Sequence, residues 1–492
     1  MPSSLVKMTN ASLFISVLTL PGLASAQELS LADAVTQALT HNEALRQADL
    51  RLETKSDEAG AALGNFLPTI SITGAYSHLD DPLIINLDPI RDGMIQLQSQ
   101  NMTEFANSYT VMQGGAPLSA EQRAGLTSQN AAKLDAVMPH FEKTLKEQDS
   151  VTITLTAVQP LFTGGKLYAG LMAAKAEERA AQADKERTQN EVVREAINNY
   201  LAVALLNQVL EVRQAVLVGM QSHRDDALKL KATGLIAEVQ VRRAEVAVAE
   251  AERALLDDSL KQELAMLSLK RTLGLPETAP LVVRERLSFH PYSTALADCL
   301  QEAQATQPLL KLVDAKALAV AQKVVASRAE FLPQVAAFGR YELYRKDLSA
   351  LDPNWVVGAQ LSINLFSGLK DYHRVSAAEH QAAEVASLRA DTERSLSLWV
   401  NRAHRDAEGA ASRFQKLDAN RTLATDALRL SEERFHSGFG TSLEVVDARL
   451  AAQRIDVDRL LALFDYYRAL SDLTVAMGHP ERLVSLFAAL EN

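Results

Sequence analysis

The sequence predicts a mainly α-helical chain with a transmembrane β part, built from two copies of a helix-strand-strand-helix unit. Three observations carry this: two long self-matches, two proline-free stretches of over a hundred residues each, and four short segments in which apolar and polar residues alternate. In the first self-match Phe66-Leu67-Pro68 aligns with Phe331-Leu332-Pro333, an offset of 265 that also brings Ala38–Leu45 onto Ala303–Leu310. In the second, Leu161-Phe162-Thr163-Gly164 aligns with Leu365-Phe366-Ser367-Gly368 at an offset of 204. That register carries Gly234, Ala244, Gly274 and Pro276 onto Gly438, Ala448, Gly478 and Pro480. Recurring Gly and Pro punctuation is the mark of a structural repeat and not of chance likeness between Ala-rich helices. Because the offsets differ by 61, the first copy carries about 61 extra residues between positions 80 and 150.

The chain opens with the pattern of a secretion signal over residues 1–26. Lys7 supplies the charge, Ala11 to Leu20 the apolar run, and Ala24-Ser25-Ala26 the small-residue cleavage site. The mature chain is expected to start at Gln27, which offers no thiol for lipoprotein modification. No later run of about 18 apolar residues is found, so no membrane-spanning helix is expected. A net charge of −11 disfavours nucleic acid as a partner. The only cysteine, Cys299, reads as a small buried helical residue and allows no intrachain disulfide.

Repeat one is expected over 27–276, with strands near 67–79 and 150–162, a helical insertion over 85–148 and a long hairpin over 166–273. A linker over 277–291 leads to repeat two, 292–480, with strands near 333–345 and 354–366 and a hairpin over 370–477; a tail covers 481–492. The proline-free stretches Lys166–Leu275 and Lys370–His479 are each broken once, by Thr233-Gly234-Leu235 and by Ser437-Gly438-Phe439-Gly440. A descending arm from Lys166 to Ala232 would be roughly 100 Å long at about 1.5 Å per residue. Leu256, Leu260, Leu264 and Leu267, and again Leu463, Leu470, Leu473 and Met477, have the spacing of helix-packing seams.

Before each hairpin the period changes to two. Val151, Ile153, Leu155 and Ala157 alternate with Thr152, Thr154 and Thr156, and Trp355, Val357, Ala359, Leu361, Ile363 and Leu365 alternate with smaller or polar residues. Partner strands precede them, with Ile70 and Ile72 in one copy and Arg340 and Glu342 on the polar side of the other. Such strands suit either a half-buried sheet or a barrel with lipid outside and water inside. Four strands cannot close a barrel, and lipid tolerates no open edge, so copies would pool strands; three chains would give twelve.

Gln159-Pro160-Leu161-Phe162-Thr163-Gly164-Gly165 at a strand-to-helix junction resembles the signature of the TolC-type outer-membrane efflux family, with Leu365-Phe366-Ser367-Gly368 as its weaker second copy. The junction residues are Pro160, Phe162, Gly164, Gly165, Phe366 and Gly368. The resemblance covers nearly all of the mature chain. It implies a homotrimer with a twelve-stranded barrel in outer-membrane lipid and a helical tunnel in the periplasm, docked onto a periplasmic adaptor and an inner-membrane pump. It places Thr233, Gly234, Leu235, Ser437, Gly438 and Phe439 at adaptor-contact turns, and makes Glu444 and Asp447 acidic rings at a pore constriction that would attract cations and repel anions. The sequence departs from the family at Gly440, where some members carry a latching Arg, and at Gln240, where an acid is expected.

Within the insertion, Ser119-Ala120-Glu121-Gln122 resembles a capping box, followed by the stripe Leu134, Val137, Met138, Phe141 and Leu145; Met102, Phe105, Tyr109 and Met112 form a second stripe. Helices are expected over 90–112 and 119–148, at the extracellular mouth, where they would either narrow or cover the pore or form no more than a surface loop. No catalytic, phosphate-binding or metal-binding motif is present, so no enzyme activity, cofactor or metal is expected. The function expected is passive export of small molecules through a tripartite system, with type I protein secretion as the second reading. Rival readings are a periplasmic adaptor and a structural coiled coil; the cargo and the pump class are not legible.

Overall fold

The computed structural model describes residues 27–349 and 351–488; the expected secretion signal lies outside them. The first half contains β1 (Gln27–Leu29), α1 (Leu31–His41), α2 (Glu43–Gly64), β2 (Thr69–His78), β3 (Leu83–Asn86), α3 (Asp88–Met112), α4 (Ala120–Val137), β4 (Glu142–Lys146), β5 (Asp149–Phe162), α5 (Lys166–Ala232) and α6 (Glu238–Thr272). The second contains β6 (Leu281–Val283), α7 (Leu296–Thr306), α8 (Pro308–Arg328), β7 (Gln334–Glu342), β8 (Trp355–Ser362), α9 (Lys370–His436), α10 (Ser442–Ala476) and α11 (Glu481–Ala488). Two compact units result: a helical one from residues up to 59, 172–322 and 378 onward, and a β-containing one from 60–171 and 323–377.

In the helical unit, α5 and α9 are each 67 residues long and α6 and α10 each 35. Their core gathers Ile197, Tyr200 and Leu201 of α5, Val400 of α9, and Leu463, Tyr467, Leu470 and Leu473 of α10, all buried. One 18-residue window of α5 reaches a mean hydropathy of 1.5, although polar residues interrupt it and it is no unbroken apolar run. Its apolarity has a place in the protein itself, because this helix buries a long stripe in that core. The linker and tail are also more ordered than expected. Residues 281–283 form β6, parallel to β1, and α11 in the tail buries Leu483 and Phe487, the latter ring 4.7 Å from Tyr467.

The two repeat registers meet at the ends of the returning helices. Asn42 donates its side-chain N–H to the carbonyl of Thr272, and Gln307, its counterpart at offset 265, donates to those of Val475 and Ala476. Each helix leaves its last carbonyls without intrahelical partners, and these carboxamides satisfy them in both copies.

In the other unit the sheet order is β2-β5-β7-β8, all antiparallel. The registers Ile72↔Leu155↔Tyr341↔Trp355 and Ile70↔Ala157↔Gly339↔Val357 make one face apolar across all four strands. Ser71, Thr73, Thr154, Thr156, Arg340 and Glu342 share the other face. There Glu342 is buried by accepting from Thr154 Oγ1 at 2.8 Å and Arg340 Nε at 3.0 Å. On the apolar face Ile72 is 67% exposed, Val357 72% and Leu361 67%, so among the described residues nothing covers it. Strand β8 ends at Ser362, short of the expected 366.

The insertion contains two helices and a ribbon. Helix α4 starts from a full capping box at Ser119 and Gln122 but ends at Val137, because Met138 precedes Pro139, and a residue before proline is pushed out of the helical region. The expected helix over 138–148 is therefore corrected: Leu145 lies in β4, which pairs with β3. Gln307→Ala should leave the Ala476 carbonyl without its partner, while Val475 O keeps the Gly478 N–H, and lower stability by about 1–3 kcal/mol, read as a lower urea midpoint of the detergent-solubilised protein.

Candidate functional site

The two helical hairpins close with the same turn. Leu235 N–H donates to Leu230 O and Phe439 N–H to Arg434 O, each at 2.9 Å, with Gly234 and Gly438 at φ of 77° and 76°. This is the six-to-one closure of a helix end, and its left-handed residue favours glycine. Thr233 and Ser437 complete the turns, and immediately after each glycine an apolar side chain stands in solvent: Leu235 is 65% exposed and Phe439 82%. Each turn thus offers one unpaired apolar knob at the matching repeat position.

Beyond the second turn, Thr441 caps α10 by accepting from the backbone N–H of Glu444 at 3.3 Å. Glu444 and Asp447, one helical turn apart, are both exposed. The nearest cation is Arg434, 3.8 Å from the Glu444 carboxylate and also donating to Phe439 O. Gly440 has a local reason: a β-carbon there would lie 2.9 Å from the backbone nitrogen of Phe435. Gln240, at the repeat position of Glu444, accepts from the Ser442 N–H at 2.9 Å, so its carboxamide fastens α6 to the first turn of α10. The same register places exposed Arg243 opposite Asp447, a reversal of charge that the 204-residue offset could have shown from the sequence.

Behind these residues the two hairpins pack through Ala227, Val241, Ala244, Phe435 and Val445. His223 of α5 is buried against them, its ring 4.6 Å from Phe435 and its Nε2 sharing a 2.7 Å hydrogen bond with Ser442 Oγ. Burial first, and then the nearby Arg449 guanidinium, pushes the His223 pKa from 6.5 down to about 4; Asp226 acts in the opposite direction and His436 in the same one. Arg449 is itself paired with Glu432, and His436 with Asp226. His223 was not singled out from the sequence, because a lone helical histidine carries no pattern.

The strand-to-helix junctions differ between copies. Pro160 lies in β5 past the last residue paired with β2, and the β5–β7 register shifts between Pro160 and Phe162, as befits a residue without an N–H to donate. Gly164 and Gly165 have φ of 64° and 88°; in copy two the same pair is Gly368 at 66° and Leu369 at 64°, so a leucine holds the strained position. Phe366, outside β8, is 79% exposed. Among the described residues no group of three or more His, Cys, Asp or Glu could hold a metal ion.

Two long helical hairpins, each preceded in sequence by strands of one amphipathic, open-edged sheet, define a protomer of an outer-membrane export channel. A model described as "Outer membrane efflux protein" matches residues 34–275 and 299–479, and the chain belongs to that family. Protein CyaE of Bordetella pertussis is 23% identical over 393 residues, 78% of this chain and 70% of that protein. Outer membrane protein TolC of Vibrio cholerae is 26% identical over 192 residues, 38% of this chain and 44% of that protein. The fold is shared with VceC of Vibrio cholerae at a TM-score of 0.69 and 18% identity, over 91% of this chain and 96% of that one. The protein is a non-enzymatic channel component of an efflux or secretion system, located in the outer membrane and reaching into the periplasm. The adaptor and filament readings are set aside by the same finding.

Two outcomes are expected at the tip. Since His223 binds its proton only near pH 4 when folded but near 6.5 when unfolded, the stability it contributes is complete above pH 6.5 and is lost as pH falls toward 4. Protection of the tip amides from exchange, taken relative to the intrinsic rate at each pH, should therefore fall between pH 7 and 5, by an amount on the order of 2 kcal/mol at most, and His223→Gln should flatten that dependence. Gly440→Arg should lower stability by about 1–3 kcal/mol, seen as a lower denaturation midpoint, because the turn has no room for a β-carbon.

Proposed function

We propose that three copies of this chain pool their strands into one twelve-stranded barrel and their helices into a periplasmic tunnel, through which small molecules leave the cell passively. The observation that carries this reading is the sheet itself: among the described residues β2 and β8 are edges without partners, and the apolar face between them is open. In lipid an unpaired edge is costly, and pairing β8 of one copy with β2 of the next removes every edge. The leucine stripe of α6 supports the same assembly. Leu256, Leu260 and Leu264 are 59%, 51% and 65% exposed in the single chain, whereas Leu463, Leu470 and Leu473 of α10 are buried. A neighbouring helix is the partner their spacing suits.

The turns bearing Leu235 and Phe439 are the proposed contacts for a periplasmic adaptor, which couples the channel to an inner-membrane pump. Glu444 and Asp447 then repeat as two acidic rings at the tunnel entrance, with Arg434 as the cation that holds Glu444 in the closed state. The family description as efflux proteins supports small-molecule cargo over polypeptides. In planar bilayers, Glu444→Ala with Asp447→Ala should reduce cation selectivity several-fold and relieve block by multivalent cations. If selectivity and block are both unchanged, these carboxylates do not line the constriction.

A further inference from the structure

The insertion is a helical hairpin with its polarity inverted. Along α3 the row Arg91, Ile95, Ser99, Thr103 and Asn107 faces α4 and is buried, although four of its five members are polar. Hydrogen bonds fill that seam. Thr127 Oγ1 donates to Thr103 Oγ1 at 3.0 Å, Leu118 N–H donates to Asn107 Oδ1 at 2.9 Å, and Arg91 donates to the carbonyls of Asp135 and Met138 at the end of α4. The large apolar side chains stand on the outside. Ile90, Met94 and Met102 lie on one four-residue row and Leu97, Phe105 and Tyr109 on the next, and five of these six are more than half exposed, Phe105 to 75%. Only the remaining row, Asp92, Gln96, Gln100, Glu104 and Ser108, is suited to water.

A soluble hairpin places its apolar rows inward, so two adjacent outward rows mark a face that something covers. Two features of the chain say what. From residue 92 to residue 122 there is no Lys, Arg or His, so an anionic lipid headgroup would find no cation there, while Asp92 and Glu104 would repel it. The hairpin also rises directly from the sheet: β2 runs into β3, and β4 into β5, with Leu79 N–H donating to Gln148 O at 2.8 Å at the join. Strand β2 is the edge at which a second copy is expected to pair. We propose that α3 packs on α3 of the neighbouring copies through the Ile90–Met94–Met102 and Leu97–Phe105–Tyr109 rows, gathering the insertions together at the extracellular end of the barrel. Adjacent four-residue rows are the surfaces that interdigitate when helices pack. This inference rests on the shared-barrel reading above.

Oxidative cross-linking of full-length Phe105→Cys in intact outer membranes tests it, with Gln100→Cys on the polar row for comparison. The native thiol, Cys299, is buried and does not compete. A disulfide-linked dimer should form from most Phe105→Cys chains and from few or no Gln100→Cys chains. Both substitutions are at exposed positions, so folding is not at issue. If unheated samples run as trimers but Phe105→Cys stays unlinked and reacts freely with a water-soluble maleimide, or is labelled from a lipid-borne photoprobe, the α3 contact is wrong and the barrel reading stands. If no trimer is seen, the barrel reading fails and this inference with it.

Discussion

A strand edge in hydrocarbon leaves its N–H and C=O groups without partners, and each such group costs several kcal/mol. The sheet β2-β5-β7-β8 presents two edges and an apolar face to its surroundings. Much of the rest of the molecule is intelligible as a consequence. One chain supplies too few strands to close a barrel, so the proposed assembly has to be made of copies. The exposed leucines of α6 are then surfaces awaiting a neighbour and not defects of packing. Outward apolar rows on α3 fall under the same logic at the insertion.

Repetition is the second organising fact. The Asn42–Thr272 and Gln307–Ala476 hydrogen bonds show why two registers persist: one register carries the donor and the other the acceptor, and each pair ends a returning helix. The helix terminus therefore ties the two registers together. Where that constraint is absent the copies drift. Gly165 becomes Leu369 at a left-handed position, and Gln240 and Arg243 stand where copy two has Glu444 and Asp447.

That drift gives the tip its character. Where copy two has the Glu444 carboxylate, Gln240 makes a hydrogen bond that fastens one hairpin to the other. His223 and Ser442 lie directly beneath, so the packing that holds α10 in place includes a buried histidine that acid would charge. The Arg434–Glu444 pair stands within the same few residues, and Gly440 is excluded from a latching role by its turn.

The sequence by itself determined the elements that have a period or a punctuation mark: the long helices from their proline-free runs, the turns from Gly234 and Gly438, the strands from alternation, and the repeat from its offsets. It misplaced the end of α4, although Pro139 was there to be read, and missed β6 and α11, whose short segments are ordered by packing against β1 and the core. Only the tertiary structure decided which apolar stripes are satisfied. Leu256, Leu260, Leu264 and Leu267 of α6 and Leu463, Leu470, Leu473 and Met477 of α10 all recur at helix-face intervals, yet the first set is exposed and the second buried. Periodicity specifies a face; what covers that face depends on residues far away in the chain, and no local pattern encodes them.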